Sequence, residues 1–389
     1  MSAPNRRQFL QKSGAVLLPA ILPFSSKAEA IALTAAPVDE PGVNFLYDGD
    51  DFNPARYIDA LQKINTKEPV KRDFYGQGGA VAALEKKMAE LTGKEKAIYM
   101  PTGTMANQLA IAVLSGEKTK VFVQDNSHVY RDEADAAQSV FGKRLMPLAM
   151  GQTYFTADEL KSAIEGLKDR EVFASGIGAV SIENPVRRTE GRMVPLEEIR
   201  KISTYCRANQ IPLHLDGARI FMAAAWSGVS VKEYASYFDT VYISLYKYFG
   251  AAGGAILCGN SALIEQMPHQ IKIHGGTVFG SWVNAAMALH QLEGFENRLQ
   301  EAIKRAAIVF EGLNKIPGVK VAALDGGTNI YSLEVSPSVG AGLPQRLMKE
   351  FNIRIPPIND KGRSRLTVNE TLLNREPAAI ISAFEKCFK

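Results

Sequence analysis

From about residue 71 the chain alternates short β-branched runs with stretches whose apolar residues recur at helical spacing. Strand and helix in regular succession bury their apolar faces most simply as a mostly parallel sheet joined by crossover helices, so the expected fold is α/β. Candidate strands are Ala97–Met100, Lys120–Val123, Gly178–Ile182, Leu213–Leu215, Thr240–Ser244 and Ala255–Leu257. Ala80–Thr92 and Leu196–Asn209 carry the helical pattern between them, and Lys304–Leu313 continues as an amphipathic helix. After Pro317 the runs Val319–Ala322 and Ile330–Val335 precede further helical segments, which predicts a smaller C-terminal α+β domain. The expected division is a large domain over residues 71–295 and a small one over 296–389. No internal repeat or low-complexity tract interrupts either.

Composition narrows the function classes. The 389 residues are 46% hydrophobic and 22% charged, an ordinary globular balance that excludes disorder and collagen-like repeats. Cys206, Cys258 and Cys387 are widely spaced, so neither a disulfide framework nor a metal centre is expected. The net charge of +4 is concentrated at one end: Arg6, Arg7, Lys12 and Lys27 against Glu29 place +3 in the first thirty residues. The remainder is close to +1, without the basic footprint of nucleic-acid binding.

Those thirty residues have the layout of an address. Asn5-Arg6-Arg7-Gln8-Phe9-Leu10 precedes an apolar stretch from Ala15 to Phe24, and Ala28-Glu29-Ala30 follows. A charged start, a short apolar middle and an A-x-A end describe a cleavable export signal over residues 1–30. The stretch is too short, and too interrupted by Pro19 and Pro23, for a membrane span. The paired arginines before Phe-Leu resemble the twin-arginine signal, whose partner is a bacterial translocase, and the implied location is the periplasm. Residues 31–70 then read as a linker, Ile31 to Gly42, and an N-terminal segment.

Three short segments have the make-up of a reactive site. Pro101-Thr102-Gly103-Thr104-Met105-Ala106-Asn107 follows a strand and opens a helix, where free N–H groups attract a phosphate; a plain turn with a threonine cap has the same pattern. His214-Leu215-Asp216-Gly217-Ala218-Arg219 ends a strand with a carboxylate, either a ligand group or a turn cap. Thr240 to Gly250 places Lys247 just past a buried strand among aromatics. A desolvated amine there becomes a nucleophile towards aldehydes, whereas a snorkelling surface lysine would be inert.

Taken together, Gly-Thr at a helix start, Asp-x-x-Arg and Ser-x-x-Lys occur in the order seen in pyridoxal-phosphate enzymes of the aspartate-aminotransferase fold. More closely, the chain resembles the threonine aldolase and aromatic amino acid β-eliminating lyase family. The resemblance runs over Tyr75-Gly76, Glu90 to Glu95, Pro101 to Asn107, Glu183-Asn184, Leu215 to Ile220 and Asp239 to Gly254. It implies that residues 71–295 bind pyridoxal 5'-phosphate and that Lys247 holds the cofactor covalently. Asp216 would pair with the pyridine nitrogen, His128 would stack on the ring and take the β-hydroxyl proton directly or through water, and Gly103, Thr104 and Ser244 would hold the phosphate. Arg219 would reach the ring's 3-oxygen or the substrate carboxylate, and Arg365 would bind that carboxylate, with Arg363 competing for the role.

Four departures bear on the reaction. Pro185, Val186, Arg187 and Arg188 follow Glu183-Asn184, where family aldolases usually place a histidine for the substrate's β-hydroxyl. Leu46-Tyr47-Asp48-Gly49-Asp50 stands where a hydroxyl residue usually faces the substrate. Tyr246 precedes the lysine in place of a small residue, and the loop His274 to Phe279 lacks an arginine. The expected activity is aldol cleavage of a β-hydroxy amino acid to glycine and an aldehyde, weaker than in relatives with both histidines. Alternatives are β-elimination, transamination or racemisation on the same fold, or a catalytically inactive exported binding protein. The implied assembly is a homodimer or homotetramer whose sites are built by two chains.

Overall fold

The computed structural model describes residues 41–50, 52–336, 340 and 342–388. The expected signal and all but the end of the linker lie outside the described residues. These described residues belong to one compact unit. Its centre is a seven-stranded sheet in the order Lys96–Met100, Ala255–Gly259, Thr240–Ser244, Leu213–Asp216, Ile177–Glu183, Lys120–Gln124 and Arg144–Leu148. The last five run parallel to one another, and Ala255–Gly259 is antiparallel to both its neighbours.

Covering helices explain the character of these strands. Lys120–Gln124, Leu213–Asp216 and Thr240–Ser244 are buried at every position, as strands covered on both faces must be. Leu84, Ile199, Leu215, Ile243 and Ile256 belong to the main core between sheet and helices. The six anticipated strands are all present. The seventh, Arg144–Leu148, has no β-branched run and contains Pro147, which an edge strand tolerates because one side of its ladder needs no partner.

The C-terminal part has its own antiparallel sheet, with Ile330–Val335 between Val319–Ala323 and Arg363–Thr367. A second core that includes Leu313, Leu333, Leu347, Leu366 and Phe384 lies under it. The helix that leads there, Phe295–Leu313, begins nine residues earlier than the amphipathic pattern suggested. The N-terminal segment is also structured. Val43–Asn44 pairs with Ile353–Arg354, and Pro54–Lys67 is a helix capped by Asn53 with proline in its first turn. Among the described residues no helix is long and apolar enough to cross a membrane.

Candidate active site

Parallel strands end on the same edge of a sheet, so their C-terminal residues converge. Here that edge carries Glu183, Asp216 and Ser244 on three neighbouring strands, with Glu183 beside Asp216 and Asp216 beside Tyr242 in register. Lys247 follows three residues after Ser244. Its amine feels Arg219, Asp216, Asp48 and Glu183, and burial together with the Arg219 charge lowers its pKa to about 8. An amine so poised is uncharged in a useful fraction near neutral pH.

Asp216 is almost completely buried, and a relay of hydrogen bonds holds its carboxylate. The Asn107 amide donates from Nδ2 to Asp216 Oδ2 (3.0 Å) and to Glu133 Oε1 (2.8 Å). Its Oδ1 therefore accepts from His214 Nε2 at 3.0 Å, and His214 Nδ1 meets the Thr240 hydroxyl at 2.8 Å. Burial lowers the His214 pKa to about 4, so this imidazole is neutral and serves as structure. Burial, then the nearby Asp216, raises the Glu133 carboxyl well above its ordinary range. The same two causes raise Glu183, whose oxygens accept from the backbone N–H groups of His128 (2.7 Å) and Arg187 (2.8 Å).

The helix Gly103–Ser115 points its start at this edge. Thr102 caps it by accepting from the Met105 N–H at 3.2 Å, and the amides of Gly103 and Thr104, in the first turn, have no intrahelical acceptor. A side chain on Gly103 would overlap the Tyr242 hydroxyl, so only glycine lets the helix start approach the strand ends so closely. The Ser244 hydroxyl is buried without a hydrogen bond of ordinary geometry. A buried hydroxyl next to Tyr242, which itself packs against the helix start with its free amides, makes a site that can take an anion. With the depressed lysine and the buried aspartate, these residues fit pyridoxal phosphate.

The remaining expected residues are placed differently from one another. His128 opens a short helix over the same edge, fastened by its backbone to Glu183. Arg219 donates from Nε to Asp48 Oδ2 at 2.7 Å, which leaves its two terminal nitrogens without a hydrogen bond among the described residues. Arg365 stands exposed on its strand and is bound by Glu190; it is not in contact with the groups above. Arg363 pairs instead with Glu334 at 3.4 Å. Val186, at the position of the missing histidine, is fully buried.

Sequence reasoning passed over Asn107, Glu133, His214, Thr240 and Asp48. Asn107 and His214 lay inside motifs already singled out, and a polar residue in an otherwise buried run was the available signal. Asp48 lay in the segment set where a hydroxyl residue usually faces the substrate, though not for its carboxylate, and Glu133 gave no signal, since only the fold brings it to the site.

Comparison with known proteins places the chain. Residues 53–336 match the family model described as Beta-eliminating lyase. A low-specificity L-threonine aldolase of Escherichia coli K12 is 31% identical over 85% of this chain and 95% of its own length. One from Candida albicans is 34% identical over 56% of this chain, and the match spans only 58% of that protein. Among solved structures, a candidate L-allo-threonine aldolase of Listeria monocytogenes EGD-E superimposes with a TM-score of 0.73 at 25% identity, over 90% of this chain and 97% of that one. Since the family model spans more than half of the chain, and takes in the sheet edge with Lys247 and Asp216, this chain is a member of the beta-eliminating lyase family.

Proposed function

We propose that this protein is a pyridoxal-phosphate enzyme that cleaves β-hydroxy amino acids to glycine and an aldehyde. The observation that carries the reading is Lys247, an amine of lowered proton affinity facing the buried, relayed Asp216. The cofactor, when bound, withdraws electrons from the carbon that bears the amino group, and the chain's own residues decide which bond of that carbon yields. Lys247 holds the cofactor covalently. Asp216, fixed by Asn107, keeps a proton on the ring nitrogen, and Ser244 with the amides of Gly103 and Thr104 takes the phosphate. Arg219, anchored by Asp48, keeps its terminal nitrogens for the ring oxygen or the substrate. Arg365 takes the substrate carboxylate by exchanging it for Glu190, a job that suits a guanidinium fork.

Aldol cleavage is favoured over elimination because His128, fastened to Glu183 at the strand end, can take the β-hydroxyl proton even though Val186 stands where a histidine was expected. The purified protein given phenylserine or threonine should release glycine and the aldehyde, and should show a visible cofactor band that borohydride fixes. Lys247→Ala should lose that covalent link and fall at least about a thousandfold in rate. Keto acid and ammonia without glycine would transfer the assignment to β-elimination. Absence of any cofactor band after loading would leave a binding protein.

The proposal extends to the protein's setting: export to the periplasm by the twin-arginine route, after the cofactor has been acquired, and assembly as a two-fold homo-oligomer. The arginine pair in Asn5 to Leu10 supports the first. Supporting the second, Tyr75 and Phe279 are large, exposed and packed edge to face at 5.3 Å.

A further inference from the structure

The turn that replaces the family's second histidine reaches back to the remaining one. Asp132 lies one helical turn after His128, and its Oδ2 is 3.3 Å from His128 Nδ1. Arg188 grips the same carboxylate with two hydrogen bonds, Nε to Oδ2 at 2.9 Å and a terminal nitrogen to Oδ1 at 2.5 Å. The Arg187 guanidinium stands 3.9 Å from Oδ2. The charged groups around this histidine are thus Asp132 at its ring, Glu183 at its backbone N–H, and Arg187 and Arg188 on the far side of Asp132. Hydrogen bonding to Arg188 holds the Asp132 carboxyl below the usual carboxylate range. An ionised carboxylate only accepts. A neutral His128 facing it therefore carries its proton on Nδ1 and leaves Nε2 bare.

We propose that Asp132, clamped by Arg188, is a positioning residue that fixes the His128 tautomer and makes Nε2 the base for the substrate's β-hydroxyl; this rests on the aldol reading above. In the step, Nε2 takes the hydroxyl proton and the O–H electron pair becomes the carbonyl π bond of the aldehyde. The Cα–Cβ pair stays with Cα, which later takes up a proton to give glycine. The imidazolium formed is paired with Asp132 until it returns its proton. A single histidine held in this way does the work for which relatives were expected to use a second, and Arg188, two residues past the position of that histidine, supplies the clamp. The bidentate grip matters because an unrestrained aspartate would have several rotamers and hold the ring in none.

The test joins a spectrum to a rate. In protein labelled with nitrogen-15 at its five histidines, His128 is assigned from the signal lost in His128→Gln. At a pH where the ring is neutral, cofactor-free and cofactor-loaded protein should both show His128 protonated at Nδ1. In Asp132→Asn the new amide can donate to Nδ1, so the proton should move to Nε2. The kcat for phenylserine should then fall at least about tenfold with KM within about twofold, and Asp132→Glu should recover part of the loss. A proton on Nε2 in the unmutated protein, or an unchanged kcat in Asp132→Asn, overturns the proposal. The expected tautomer in a protein that cleaves no β-hydroxy amino acid overturns the aldol reading, and the base role with it.

Discussion

At the scale of single residues, the site is governed by where buried polar atoms find partners. Asn107 is the clearest instance, since one side chain satisfies Asp216, Glu133 and His214 together. Removing it leaves one atom of each of these three buried groups unpaired, although His214 keeps Thr240 and Asp216 keeps the Ala218 N–H, and an unsatisfied buried group costs about 1–3 kcal/mol. Asn107→Ala should therefore destabilise the cofactor-free protein by roughly 3 kcal/mol in urea unfolding, and should weaken cofactor binding because Asp216 loses its orientation. Asn107→Asp would add a carboxyl to two others and is expected to be worse. A stable Asn107→Ala protein with unchanged cofactor affinity would show that Asp216 is held by other means. Neither the asparagine's role nor its partners could be read along the chain, although the motif containing it could: His214 and Glu133 lie 107 and 26 residues away.

At the scale of elements, helix starts do two kinds of work. Thr156 forms a reciprocal capping box with Glu159 at the start of Ala157–Glu165, a helix that takes no part in the site. Thr102 caps Gly103–Ser115, whose first turn meets the strand ends. Either threonine replaced by alanine should cost about 1 kcal/mol of stability. Only Thr102→Ala should also lower cofactor affinity, measured by titrating the visible band, because its loss frays the amides assigned to the phosphate. Equal effects of the two on affinity would remove the helix start from the phosphate site. The helix itself was legible from its apolar spacing. The choice between a phosphate cradle and a plain capped turn was not, because both begin with the same residues; the structure adds that Tyr242 packs against Gly103.

At the scale of the whole molecule, two expectations concern surfaces and addresses. Phe74, Tyr75 and Phe279 form an exposed aromatic group, with Phe74 and Phe279 rings 5.9 Å apart and the Tyr75 N–H donating to the Phe279 carbonyl at 2.9 Å. Such a group is suited to burial against a second copy. Replacing Tyr75 and Phe279 together with serine should yield monomers in sedimentation, with activity lost if two chains build each site. A fully active monomer, mutated or not, would end that idea. The second expectation is export. Arg6→Lys with Arg7→Lys should leave the protein in the cytoplasm, its fold and cofactor intact, whereas undiminished periplasmic recovery would mean that another signal directs it.

What the sequence by itself determined was everything carried by local periodicity and turn chemistry. The alternation of buried strands with amphipathic helices specified an α/β fold, and six of the seven central strands could be located because side chains covered on both faces must be apolar. Lys247 after a buried strand and Asp216 at a strand end were open to two readings each in the local pattern, and only their order along the chain, with the family resemblance it carries, pointed to a site. Tertiary structure alone decided who meets whom. Arrangement of the strands set Asp48 against Arg219 across 171 residues, and Arg365 against Glu190 across 175. It also returned Arg188 to Asp132 beside His128. A buried or half-buried charge must find a partner, but strand order selects which one, and no periodicity along the chain encodes that order.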